Sequence, residues 1–193
     1  IQHKSDAGLV LLDIADDAGA RSGFETLVRR APVTLEGVLV EQMIPGGREF
    51  VVGMSRDHQF GPVVMFGLGG VLTEALQDVV FGVAPLDERE ASELLDEISS
   101  VRLLGEFRGA PSVDRDTLIN TIRAVGQMAL DHPEIAEVDI NPMLVEGRRP
   151  VAVDALVTLA EPTAPPPARL PLERKALNAV FYPDSVAIVG ASN

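Results

Sequence analysis

The residues best suited to chemistry lie between 137 and 155, where two apolar segments flank a polar turn. A turn centred between Gly147 and Arg148 pairs 146 with 149 and, further along, 141 with 154. Asn141 and Asp154 then lie opposite each other on one face, with Cβ atoms about 5 Å apart. Two oxygen donors at this separation suit one hard cation such as Mg²⁺. The alternative is a half-exposed hairpin whose solvent face carries both groups.

The composition predicts a folded, acidic protein without thiol chemistry. The chain has 193 residues, 46% of them hydrophobic, a net charge of −13 and no cysteine. Such acidity argues against nucleic acid and anionic membranes as partners, although a nucleotide can still bind through a metal and backbone amides. The longest weakly charged apolar run, 60–72, is too short to span a bilayer, and no signal peptide opens the chain. We therefore expect a cytoplasmic protein.

Local patterns predict an α+β fold with a largely antiparallel sheet. Asp16 and Asp17 favour a helix start, and that helix extends to about residue 30. Asp87 caps a second helix, and a third begins at Asp114 or Asp116 and ends at 132–133. Strands are predicted at 10–14, 37–44, 48–55, 62–66 and 79–83, with a short helix at 73–77. The strands 37–44 and 48–55 are expected to form a hairpin around a turn at 45–47.

The composition changes near residue 160. Prolines at 162, 165–167 and 171 predict an extended linker over 160–173. A short helix and a strand at 185–192 are predicted beyond it. The sequence starts abruptly at Ile1, beside a polar cluster, and stops abruptly at Asn193, after the strand-like segment 185–192. We therefore expect further sequence on both sides.

Four segments, in order, resemble the ATP-grasp part of the NDP-forming acyl-CoA synthetases, the family of ADP-forming acetyl-CoA synthetase and succinyl-CoA synthetase. They are His3-Lys4-Ser5-Asp6-Ala7-Gly8, residues 38–49, the Phe66-Gly67-Leu68-Gly69-Gly70 loop with Glu74, and the hairpin 139–155. Residues 181–192 look like the opening strand of that family's CoA-binding Rossmann domain. The resemblance implies an ATP-grasp domain over 1–159 that lacks its first segment, a linker over 160–173, and a truncated CoA-binding domain over 174–193.

The resemblance also implies how a nucleotide binds. Glu41 to Met43 matches the strand that links the two lobes, with the backbone of Met43 against the adenine. Glu49 matches the carboxylate that binds the ribose hydroxyls, and Lys4 offers positive charge to phosphate. Without the family, Glu41 and Glu49 would be interpreted as the solvated face of a hairpin.

Three further residues receive roles by resemblance. Asn141 and Asp154 match the Mg²⁺ ligands of the family, in agreement with the register argument. His3 matches a histidine that carries phosphate in ADP-forming relatives, since neutral imidazole is nucleophilic near neutral pH. Leu9 stands where the family usually has glycine, which puts close approach of a phosphate there in doubt.

The implied function is the nucleotide- and Mg²⁺-binding part of an enzyme that makes acyl-CoA from a carboxylate, CoA and ATP, through acyl phosphate and phosphohistidine. Its partners would be ATP or ADP, CoA, a small carboxylate and the missing domains or subunits. We expect no turnover by the chain alone. Two alternatives stay open: a non-catalytic nucleotide-binding or regulatory module, and a different ATP-grasp carboxylate ligase.

Overall fold

The computed structural model describes residues 7–45, 47–69 and 77–160, together with 178, 181–183 and 185. The predicted linker at 160–173 and the predicted further domain at 174–193 lie almost entirely outside the described residues. The predicted helix at 73–77 lies outside them as well, apart from Gln77, which has a positive φ of 50°.

One antiparallel sheet organises the described part of the chain. Its strands are β1 Glu49–Asp57, β2 Gly61–Leu68, β3 Val79–Val83, β4 Ile135–Glu146, β5 Arg149–Ala152 and β6 Leu156–Leu159. They lie in the order β3-β2-β1-β4-β5, and β6 also pairs with β4. The predicted strands at 62–66 and 79–83 are confirmed, as is the antiparallel α+β class.

The predicted starts of the three longer helices are each confirmed by a capping hydrogen bond. The helices are α1 Asp17–Arg30, α2 Glu88–Glu97 and α3 Arg115–Asp131, with a 3₁₀ helix at Val101–Leu104. The Asp16 carboxylate accepts from the N–H of Gly19 at 2.7 Å. Asp87 accepts from the N–H of Glu90 at 2.8 Å, and the Glu90 side chain accepts in return from the N–H of Asp87. Asp114, rather than Asp116, caps α3.

The core lies between one face of the sheet and the helices α2 and α3. Paired residues of β1 and β2 supply its floor, and the rings of Phe50 and Phe66 stack with centroids 5.7 Å apart. The fully buried helical side chains Leu95, Leu118 and Ile122 pack against it. Side chains alternate along a strand, so the residues of β1 between the core positions face the other way. We call this side, which carries Glu49, Val51 and Gly53, the distal face.

Two strand predictions are wrong. Residues 10–14 and 37–44 are not in strands, and the hairpin between 37–44 and 48–55 does not form. The reason is that β1 pairs with β2 along one edge and with β4 along the other, so it has no edge left for 37–44. Residues 7–14 instead run beside α1, where Leu11 and Ile14 lie against Gly23. No helix among the described residues is long and apolar enough to cross a membrane.

Candidate functional site

The hairpin of β4 and β5 has the register expected from the sequence. Glu146 pairs with Arg149 and Met143 with Ala152, and Gly147 occupies the turn with a positive φ of 62°. A positive φ is easily adopted by glycine, which explains the residue at this position. The hydrogen-bonded ladder between β4 and β5 ends at Ala152, before the expected pair of Asn141 and Asp154.

The same register resumes beyond a short gap. β6 pairs Asp139 with Leu156 and Val138 with Val157, and each of these pairs has the same residue-number sum as the pairs of β5. Inside the gap, the N–H of Val153 donates to the carbonyl of Pro142 at 3.3 Å. The continuous register therefore places Asn141 opposite Asp154, in an interruption of an otherwise regular ladder.

The other edge of β4 is irregular at the same residues. The pairing of β1 with β4 shifts by one residue between Phe50 and Val52, whose partners are Met143 and Ile140. Asn141 and Pro142, joined by a cis peptide bond, are the residues displaced by this shift. A bulge turns a side chain out of the regular pleat and is frequent beside active sites. Both ladders of β4 are thus interrupted where the sequence predicted a ligand.

Asp139 belongs to this cluster, although the sequence analysis gave it no role. It pairs with Gly53 and therefore lies on the distal face. Burial raises the pKa of its carboxyl, and the neighbouring charges of Glu137 and Asp154 raise it further. The spacing of 137, 139 and 141, which share one side of a strand, was the signal that could have identified it.

The donor set suits a hard divalent cation that is also held by other ligands. Asn141 and Asp154 offer an amide and a carboxylate oxygen, and Asp154 also accepts from the N–H of Ala155 at 3.1 Å. Among the described residues, no group of three or more His, Cys, Asp or Glu side chains is arranged to hold a metal. Mg²⁺ commonly binds through one or two carboxylates and completes its shell with waters and substrate phosphates. The residues therefore fit Mg²⁺ in the presence of a phosphate ligand.

Glu49 lies on the same face, at the first residue of β1. It pairs with Leu144, three positions along β4 from Asn141, which is about 10 Å at 3.3 Å per residue. Its carbonyl accepts from the N–H of Gly69 at 2.9 Å. A Cβ on Gly69 would lie 2.3 Å from the carbonyl oxygen of Phe50, so only glycine fits beside this part of β1. The structure thus brings the end of the Gly67–Gly69 segment next to Glu49.

The remaining predicted site residues are not brought to this cluster. Glu41 and Met43 are exposed, Met43 by 48%, and lie in a segment without regular secondary structure. The expected linking strand is therefore absent at 41–43. His3 and Lys4, like Glu74, lie outside the described residues.

Comparison with known proteins identifies the chain's relatives. A family model described as an ATP-grasp domain matches residues 1–159. The chain is 45% identical over 164 residues to the acetate–CoA ligase [ADP-forming] I subunit beta of Pyrococcus furiosus. The aligned region covers 82% of this chain and 71% of that subunit. The chain is also 34% identical over 192 residues to acetate–CoA ligase [ADP-forming] II of Archaeoglobus fulgidus. That aligned region covers 100% of this chain and 27% of the ligase.

A solved structure has the same fold. It is the dinucleotide forming acetyl-coenzyme A synthetase 1 of Ca. Korarchaeum cryptofilum in complex with coenzyme A and Mg-AMPPCP, with its phosphohistidine segment pointing towards the nucleotide binding site. The TM-score is 0.75 at 36% sequence identity, over 82% of this chain and 71% of that one. The chain therefore spans about seven tenths of the Pyrococcus beta subunit and of the Korarchaeum chain, and about a quarter of the longer Archaeoglobus ligase.

Proposed function

The chain belongs to the ATP-grasp domain family, and from this premise we propose that it is the nucleotide- and Mg²⁺-binding part of an NDP-forming acyl-CoA synthetase. The complete enzyme would be an acid–thiol ligase that forms acyl-CoA from a carboxylate, CoA and ATP. The names of the relatives support this reaction class, since they are ADP-forming acetate–CoA ligases.

One observation carries the proposal: Asn141 and Asp154 face each other where both ladders of β4 are interrupted. Asp154 is exposed and Asn141 is half-buried, so both oxygen donors are accessible to a cation that arrives with a nucleotide. A related structure holds Mg-AMPPCP together with coenzyme A, so magnesium and a nucleotide occur together in that relative. When bound, Mg²⁺ would screen the charge of the phosphates. The chain's own contribution would be to hold the metal through Asn141 and Asp154.

The remaining binding roles are proposed for Glu49, for the segment 41–43, and for Lys4 and His3. Its carboxylate would accept hydrogen bonds from the ribose hydroxyls, with the phosphates extending along the distal face towards Asn141. The separation of about 10 Å along β4 suits an extended triphosphate. The backbone of the segment Glu41 to Met43, and that of Met43 above all, would contact the adenine only if this segment reorganises, since it is exposed and irregular here. Lys4 and His3 keep their proposed roles as a phosphate contact and a phosphate carrier.

We further propose the domain boundaries expected from the sequence. The ATP-grasp domain would occupy 1–159, a linker 160–173, and the start of a CoA-binding domain 174–193. The family model agrees with the first boundary, because it ends at residue 159. The similarity to the Archaeoglobus relative extends over 192 residues, so the segment after 160 also has a counterpart in that longer ligase.

Nucleotide binding by the complete enzyme tests the metal assignment. The variants Asp154→Ala and Asn141→Ala would be compared with Glu146→Ala, a matched control in the same hairpin whose side chain faces Arg149 at the turn. We expect calorimetry to show tight MgADP binding by the wild type and the control, and binding at least about tenfold weaker for the two site variants. In EDTA all four proteins should bind ADP alike. Wild-type affinity in Asp154→Ala with Mg²⁺ present would refute the assignment.

Turnover tests the division of labour between this chain and the rest of the enzyme. The chain spans about a quarter of the longer ligase, so we expect no acyl-CoA from carboxylate, CoA and MgATP with the chain alone. The complete enzyme should form acyl-CoA and ADP in equal amounts. Clear turnover by the 193-residue chain would show that the missing parts are dispensable.

A further inference from the structure

An arginine immediately before β1 connects distant parts of the chain. The guanidinium of Arg48 donates to four backbone carbonyls: Leu103 at 3.0 Å, Gly105 at 2.9 Å, Pro111 at 2.6 Å and Gly147 at 3.3 Å. Three of these acceptors lie in the segment that follows the 3₁₀ helix or at its end, and the fourth lies in the turn between β4 and β5. One side chain thus fixes two loops and the start of β1 to one another.

The environment of Arg48 indicates more than a surface contact. Its side chain is 9% exposed and is the one buried charged residue in the described part of the chain. Burial of a guanidinium is costly, and the four carbonyls offset that cost with charge-assisted hydrogen bonds. The backbone takes part as well, because the Arg48 carbonyl accepts from the N–H of Val145 at 3.1 Å. The residue is therefore tied to β4 and to its turn by both side chain and main chain.

The hairpin held in this way carries the candidate metal ligands, and the next residue after Arg48 is Glu49. The rotameric freedom of a long side chain is removed by a planar fork with several fixed acceptors. The position of Glu49 relative to the turn at Gly147 is consequently set by Arg48. That turn also sets the register between β4 and β5, which places Asn141 opposite Asp154.

We propose that Arg48 is a positioning residue for nucleotide binding. It holds Glu49 at a fixed distance from Asn141 and Asp154, so that one nucleotide can reach the carboxylate and the metal site together. This inference rests on the proposed function, because it assigns Glu49 and the hairpin to the same ligand.

The chain offers a matched control at the opposite end of the same strand. Arg56 donates to the carbonyls of Ala129, His132 at 2.8 Å and Ile135 at 2.6 Å. Its acceptors lie in the last turn of α3, at the C-cap residue His132 and at the first residue of β4, so Arg56 fixes the end of α3 to β4. Arg56, near the end of β1, resembles Arg48, just before its start, in residue type and in its backbone-carbonyl acceptors, but it makes no hydrogen bond to the hairpin turn.

The test compares Arg48→Met, Arg48→Lys and Arg56→Met in the complete enzyme. Both methionine variants leave carbonyls without a donor, so both should lower the unfolding temperature. Only Arg48→Met should weaken MgADP binding, by about tenfold, and raise the KM for ATP similarly with kcat within about twofold of wild type. Arg48→Lys keeps the charge and part of the hydrogen bonding, and its affinity should lie between those of wild type and Arg48→Met. Arg56→Met should bind MgADP within about twofold of wild type.

Amide hydrogen exchange supplies a readout that does not depend on activity. The Val145 N–H should exchange about tenfold faster in Arg48→Met and unchanged in Arg56→Met. Equal losses of MgADP affinity in the two methionine variants, or none in either, would overturn the inference while leaving the proposed function intact. If Arg48→Met does not fold, wild-type affinity and exchange in Arg48→Lys overturn it instead. Failure of the wild type to bind MgADP would refute the proposed function and this inference with it.

Discussion

Residues 7–45 and residues 49–160 differ sharply in how they bury apolar side chains. In the first region only Gly23 and Ile44 are buried, although it contains a regular 14-residue helix. Phe24 and Val28, one turn apart on that helix, are 52% and 48% exposed. In the second region the sheet and the helices α2 and α3 enclose a continuous core that includes Phe50, Phe66 and Ile122 at 0% exposure.

The difference shows that a well-specified helix is not the same as a packed one. α1 has an acidic cap, an acidic first turn and two arginines in its last turn, all of which favour a helix locally. Only Gly23 of this helix is buried, against Leu11 and Ile14, whereas Phe24 and Val28 remain exposed. Exposed apolar side chains in such number are typical of a surface that contacts another polypeptide segment. In the second region the apolar sides of α2 and α3 pack on the sheet, and the exposed apolar side chains, such as Phe81 and Leu159, lie in the outer strands β3 and β6.

The largest expected difference is between truncating a buried side chain of the second region and truncating an exposed side chain of the first. Ile122→Ala should lower the free energy of unfolding by about 2–5 kcal/mol, since it leaves a cavity against the sheet. Phe24→Ala should change it by less than about 0.5 kcal/mol, as for other exposed positions. Urea denaturation followed by circular dichroism measures both. A cost above about 2 kcal/mol for Phe24→Ala would mean that residues 7–45 have a core of their own.

A smaller effect is expected from two aspartate caps whose hydrogen bonds have nearly the same length. Asp87→Ala removes the cap of α2 and should cost about 1 kcal/mol of global stability. Asp16→Ala removes the same kind of hydrogen bond from α1, at 2.7 Å rather than 2.8 Å. Because α1 contributes little to the core, this variant should fray α1 without moving the main unfolding transition. A shift of the transition midpoint equal to that of Asp87→Ala would show that the two regions unfold together.

The smallest effect concerns the pH dependence of the packed region. Asp78 accepts from the N–H groups of Ser99 and Ser100 at 2.7 and 2.8 Å. Burial alone would raise the pKa of Asp78, but the side chains and the backbone N–H groups of Ser99 and Ser100 together outweigh burial, and the pKa is lowered. A lowered pKa in the folded state stabilises the protein above the ordinary carboxyl pKa, and this contribution is lost as the pH falls towards the lowered value.

The variant Asp78→Asn isolates that contribution. It should be less stable than wild type at pH 7 by under about 1 kcal/mol, and the difference should shrink as the pH falls to about 3. Thermal unfolding across this pH range measures the two curves. Parallel curves, with the same difference at every pH, would mean that the carboxylate charge contributes nothing.

The parts of the fold that sequence predicted correctly are those decided by neighbouring residues. Helix starts at Asp16, Asp87 and Asp114 follow from side chains that bond to amides three residues later. The register of the β4–β5 hairpin follows from a two-residue turn containing Gly147. In both cases the partners are close in the chain, so the pattern can be recognised without knowing the fold.

The predictions that failed needed information about distant partners. Residues 37–44 have the composition of a strand, but a strand forms only where an edge is available, and β2 and β4 occupy both edges of β1. The pKa of Asp139 is raised by burial and, to a smaller extent, by the charges of Glu137 and Asp154. Local spacing places Asp139 on the same side of its strand as Asn141, but it determines neither the burial of Asp139 nor which edges of β1 are occupied.

The sequence by itself determined the helix caps, the hairpin register and the facing of Asn141 towards Asp154, since each depends on residues separated by a single turn. Tertiary structure alone decided that β4 is interrupted on both edges at that pair and that Arg48 reaches carbonyls 55 to 99 residues away. The physical reason is that pairing and burial depend on which edges and cavities the rest of the chain has already filled.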